Sequence, residues 1–118
     1  MARAMIVDDS KFMRKLIREA LEEGGHEIAA EADNGIDAVK IYNEIKPDFV
    51  TMDITIFGQD GLKAVSEIVN RDPGAKIIVV SALSKESLKI REKEINALAF
   101  IEKPFKKEEL LKVINEIV

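Results

Sequence analysis

Asp8 and Asp9 stand side by side near the amino terminus, Asp53 stands alone near the middle, and Ser81 and the Lys103-Pro104 pair lie far downstream. Three carboxylates, a hydroxyl and an ammonium are what a cation-assisted phosphoryl-transfer site requires. Carboxylates brought together repel, and one of them is pushed toward its protonated form unless a counter-charge intervenes. A hard divalent ion resolves the conflict: Mg²⁺ keeps several waters and uses a couple of carboxylates together with phosphate oxygens, with Mn²⁺ the alternative ion. Ca²⁺ suits the chain less, because no loop of spaced Asp, Asn and Gly ligands is present. A carboxylate can also attack phosphorus itself and form an aspartyl phosphate. That reaction needs mostly alignment and neutralisation of the phosphoryl oxygens, supplied here by the cation and by Lys103. Asp53 is the expected acceptor because it sits singly after an apolar run, whereas the adjacent Asp8 and Asp9 suit a metal. Ser81 is placed to donate a hydrogen bond to the same group.

These residues are far apart in sequence, so the fold must bring them together. Five short apolar runs, at residues 4–7, 28–32, 49–52, 77–80 and 98–101, read as strands. The segments between them carry apolar residues at helical spacing, such as Phe12, Leu16, Ile17, Ala20 and Leu21, then Ala38, Val39, Tyr42 and Ile45. Ser10 can cap the first helix and Gly24-Gly25 can end it; Lys46-Pro47 and Asp72-Pro73-Gly74 mark breaks. Alternation of this kind predicts an α/β fold, a doubly wound five-stranded parallel sheet with helices on both faces. The mixed segment 26–31 suits an edge, and the run 77–80 suits the centre. Ligands bind such sheets beyond the carboxyl ends of the strands, where Asp8-Asp9, Asp53, Ser81 and Lys103-Pro104 all fall.

Composition narrows the function. A chain of 118 residues fits one domain, expected to span 1–118, and 47% hydrophobic with 34% charged residues belongs to a globular protein. The net charge of -4 is mild and its Lys and Arg form no basic stripe, so nucleic acid is not an expected ligand. Without cysteine and with one histidine, any metal must be held by oxygen. No signal peptide or membrane-length apolar run is visible, so a cytoplasmic, membrane-free monomer is expected.

Met5-Ile6-Val7-Asp8-Asp9, Met52-Asp53, Ser81-Ala82 and Lys103-Pro104-Phe105, in this order and spacing, resemble the CheY-like receiver domains of two-component response regulators over essentially the whole chain. The resemblance implies a flavodoxin-like sheet of order 2-1-3-4-5 and phosphorylation of Asp53. It implies Asp9, Asp53 and the Thr55 backbone carbonyl as direct metal ligands, Asp8 acting through water, and a cis bond between Lys103 and Pro104. It also implies that Ser81 and Phe100 change position as switch residues, and that a histidine kinase is the donor. The output would be a protein contact, a motor switch or adaptor in chemotaxis, through the fourth helix, fifth strand and fifth helix. Such a protein assists its own phosphorylation and dephosphorylation and is not an enzyme in the ordinary sense. Two positions depart from the family: Phe57 replaces a usual proline and Asn96 a usual glycine.

Each residue also has a plainer reading. Asp8-Asp9 can be a turn and cap pair, Asp53 a solvated loop acid, Lys103 a surface lysine, Ser81 a structural hydroxyl and Phe100 ordinary core. His26 reads as a surface or edge residue, and Thr51 and Tyr42 call for no function. Competing functions are a phosphorelay intermediate, a small aspartate-nucleophile phosphatase resembling the haloacid dehalogenase group, and a pseudo-receiver. The phosphatase needs a second aspartate two residues after its nucleophile; here that position is Thr55.

Overall fold

The computed structural model describes residues 2–54, 60–82 and 99–118. The apolar runs form strands β1 (Arg3–Val7), β2 (Glu27–Ala32), β3 (Phe49–Met52), β4 (Ile77–Ser81) and β5 (Ala99–Glu102). They pair in parallel in the order β2-β1-β3-β4-β5. β3 and β4 are buried along their whole length, as is β1 beyond Arg3, because helices cover both faces of the central strands. β2, with Glu27 and Glu31 in its six residues, is only partly buried and takes an edge.

Side chains alternate across each strand and so divide the interior into two cores. Met5, Val7, Val50, Met52, Ile77 and Val79 meet α2 (Gly35–Ile45) and α3 (Asp60–Arg71). Ala4, Ile6, Phe49, Ile78, Val80 and Ile101 meet α1 (Lys11–Glu23) and the closing helix α4 (Lys107–Ile117). The helix expected between β4 and β5 falls on residues 83–98, outside the described residues, as does Asn96.

Local chemistry sets the element ends. The Ser10 hydroxyl accepts the Met13 N–H at 3.1 Å and caps α1. Gly24 closes the helix and Gly25 adopts φ 86°, a left-handed conformation that glycine adopts without steric cost. Asn34 caps α2 by accepting the Asp37 N–H at 2.8 Å. Asp72 holds the turn before β4 by accepting the Gly74 N–H at 3.2 Å, and its carboxylate takes the Tyr42 hydroxyl at 2.7 Å. Tyr42 is therefore a core residue with a satisfied polar tip. Among the described residues no helix is long and apolar enough to cross a membrane.

His26 lies half-buried just before the edge strand, in keeping with its reading as a surface or edge residue; its ring nitrogens are shielded from solvent without a partner among the described residues, and the ring packs edge-on against Phe49 with centroids 5.5 Å apart. At Gly24 a Cβ would meet the Leu111 Cδ2 methyl at 2.5 Å and His26 at 3.4 Å, so the leucine would have to turn aside.

Candidate functional site

Register brings the acids together. Val7 and Met52 are partners across β1 and β3, so the residues that follow them, Asp8 and Asp53, leave the sheet side by side. The ladder runs one residue past the strands: Asp53 N–H donates to the Val7 carbonyl at 2.9 Å, Asp8 N–H to Ala32 at 3.1 Å, and Lys103 N–H to Ser81 at 2.7 Å. Ile6, Phe49 and Ile101 face the α1 and α4 side, and continued alternation carries Asp8, Asp53 and Lys103 onto that same side.

One carboxylate oxygen from each of Asp8, Asp9 and Asp53 lies within 4.8 Å of the other two. Asp8 and Asp53 are 1% and 3% exposed, while Asp9 faces solvent. The Lys103 ammonium donates to Asp8 Oδ2 at 2.9 Å and to Asp53 Oδ2 at 3.1 Å. The other Asp8 oxygen, Oδ1, accepts the Ser10 N–H at 2.9 Å. Burial pushes the Asp8 carboxyl up from its ordinary value; the bonds from Lys103 and Ser10 oppose this, and the Asp53 charge adds to it. For Lys103 burial pulls downward, but the bonds and charges of Asp8 and Asp53 together lift it above the ordinary lysine value. Both directions follow from packing like charges around one ammonium at the edge of a dry core. A pocket with oxygen donors only, an excess of negative charge and one open, exposed acid fits a hard divalent cation.

The remaining predicted residues are placed as follows. Ser81 is fully buried at the end of β4, opposite Glu102, one strand from Asp53. Phe100 is half-buried in β5, opposite Val79, and packs against the core on the α2 and α3 side. The Lys103-Pro104 peptide bond is cis. Thr55 and Phe57 lie outside the described residues.

Sequence reasoning missed a brace behind the acids. Arg14 Nη1 donates to the main-chain carbonyl of Asp8 at 2.7 Å, and its Nε donates to Glu31 Oε1 at 3.1 Å. Arg18 Nε donates to the second Glu31 oxygen at 2.9 Å. The only sequence signal was Glu31 within the edge strand, which also carries Glu27, and its partners on α1 could be found only with the crossover in place. Thr51, for which no function was expected, has its hydroxyl buried in β3 without a partner among the described residues.

Comparison with known proteins places this geometry. The sequence profile of the response regulator receiver domain matches residues 4–115. The chemotaxis protein CheY of Thermotoga maritima is 43% identical over 98% of this chain and 96% of its own length. Among solved structures, the CheX-CheY-BeF3-Mg²⁺ complex of Borrelia burgdorferi superposes with a TM-score of 0.90 at 31% identity, covering 98% of this chain and 87% of that one. The response regulator TrrA of Thermotoga maritima, in complex with Mg²⁺-BeF, gives 0.88 at 32% identity over the whole of both chains.

Proposed function

This chain belongs to the response regulator receiver domain family, and from that footing we propose that it accepts a phosphoryl group on Asp53 and signals by changing shape. The observation that carries the proposal is the meeting of Asp8, Asp9 and Asp53 within reach of one cation, with Lys103 bonded to two of them.

In the transfer an Asp53 carboxylate oxygen forms a bond to phosphorus in line with the bond that breaks. That bond is the P–N bond to a histidine of the kinase, or the P–O bond of a small acyl phosphate, and the leaving atom keeps the electron pair. Asp8, Asp9 and Asp53 would hold Mg²⁺, or Mn²⁺ in its place, and the family resemblance adds the Thr55 backbone carbonyl as a further ligand. When bound, the ion neutralises phosphoryl oxygens and relieves the repulsion among the acids. Lys103 supplies a second positive charge, and the Ser81 hydroxyl donates to a phosphoryl oxygen. Phe100 then repacks, so that a local charge event reaches a distant surface. The Mg²⁺ named with TrrA and with the Borrelia CheY complex supports the choice of ion.

Residues 1–118 act as one monomeric, cytoplasmic receiver domain, a phosphoacceptor rather than an enzyme with an external substrate. Its donor is a histidine kinase. Its output is a downstream protein of a chemotaxis pathway, a motor switch or adaptor, which meets β5, α4 and the segment before β5. The name of the Thermotoga relative supports the pathway, and the CheX partner named with the Borrelia protein supports a protein contact as output. Incubation with acetyl phosphate and Mg²⁺ followed by intact mass should give one phosphoryl adduct, absent in Asp53→Ala. An unmodified wild-type chain overturns the proposal.

A further inference from the structure

Arg14 sits in the first turns of α1, where the helix dipole and a neighbouring cation site both disfavour a positive charge, and α1 has no acid in its first turn to offset it. Its side chain is nevertheless only 18% exposed and is gripped on two sides. One side is the Asp8 carbonyl, the other is Glu31 of the edge strand, itself held by Arg18. The carboxylate of Asp8 has its own fixings in Ser10 and Lys103. The carboxylate of Asp9 has no such partner among the described residues, so the main chain sets where its side chain starts and which positions its own torsions can reach. Because the peptide unit is planar, holding the Asp8 carbonyl fixes the plane from which Asp9 departs. The geometry points to Arg14 as a positioning residue that locks the Asp8-Asp9 peptide and so aims Asp9 at the cation. This inference rests on the phosphoacceptor reading above.

A role for Arg14 as mere nearby charge has the opposite sign, since removing a cation beside three carboxylates strengthens metal binding. The test is a Mn²⁺ titration of the whole chain, followed by the paramagnetic resonance of free Mn²⁺, for wild type, Arg14→Ala, Arg14→Lys and Arg18→Ala. Wild type should bind one ion. Both Arg14 variants should bind about tenfold more weakly, the scale seen when a residue supporting a metal ligand is lost, and Arg18→Ala should change little. Urea unfolding without metal measures fold support: Arg14→Ala and Arg18→Ala each remove one arm of the Glu31 cluster and should lower stability, Arg14→Ala by more because it also loses the Asp8 carbonyl bond. If Arg14→Ala does not fold, Arg14→Lys, which keeps the charge and the stem, decides. Equal or tighter binding by the Arg14 variants overturns the inference, as does an equal loss in Arg18→Ala. Wild type that binds no Mn²⁺ overturns the phosphoacceptor reading with it; wild type that binds Mn²⁺ while the variants match it overturns the inference alone.

Discussion

Lys103 donates to two of the acids, Asp8 and Asp53, and each contact balances a cost of burial. Asp8 is nearly inaccessible, so removing Lys103 leaves a buried carboxylate facing Asp53 without a cation. Lys103→Ala should therefore lower the stability of the metal-free protein by about 3 kcal/mol, and Mg²⁺ should recover much of the loss by supplying the missing charge. Urea unfolding with and without Mg²⁺ measures both, and a loss that Mg²⁺ leaves untouched would show that Lys103 acts by packing alone. Thr51 presents the reverse case. Its hydroxyl is buried under the site without a partner among the described residues, so Thr51→Val, which keeps the shape and removes the unpaired group, should stabilise the chain by about 1 kcal/mol. A destabilised valine variant in the same unfolding assay would mean that the hydroxyl is satisfied in solution.

At the scale of elements, the site depends on how closely α3 approaches the turn after β3. A Cβ on Gly61 would lie 2.5 Å from Ile54 Cα and 2.7 Å from the Asp53 carbonyl oxygen, both of them backbone atoms that cannot move aside cheaply. Gly61→Ala should push α3 away from the acceptor, costing roughly 1–3 kcal/mol by overpacking and reducing the acetyl phosphate adduct. Normal stability and full adduct would contradict the close approach. The sequence showed Gly61 only as a residue after Asp60; the contact belongs to the packing of a helix on a loop, which no periodicity encodes. Strands and caps were legible because their causes are local. Apolar runs set β1 to β5, and Ser10 and Gly24 bound α1 where their chemistry predicts. The acids were legible because each follows a strand directly, so that topology alone gathers them. The Arg14–Glu31–Arg18 brace was not, since it joins a helix to an edge strand through side chains that read as ordinary surface charge.

At the scale of the whole molecule, the parallel sheet separates two ends with different demands. The carboxyl end of the strands carries paired charges, and the amino end is closed by packing, with His26 wedged against Phe49 beside Gly24 and Leu111. His26 is the only histidine, so a loss of stability that sets in as the pH falls below 6.5 and is absent from a His26 variant belongs to this corner. Burial lowers its affinity for a proton, helped by the positive amino terminus, and among the described residues its nitrogens have no partner that would favour the charged ring. The unfolded chain, near the ordinary value of 6.5, then binds more protons than the folded one as the pH falls. Stability from this residue is fully present above 6.5 and is lost as the pH drops through the lowered folded value. Asp8 works in the other direction, because its raised carboxyl takes up a proton more readily folded than unfolded. Comparison with His26→Gln cancels that contribution, which both proteins share. Urea unfolding at pH 7.5 and 5.5 should show wild type losing more stability on acidification than His26→Gln. Parallel losses in the two proteins would mean that the ring reaches water or a partner when protonated, and that this end of the sheet opens without cost to the rest.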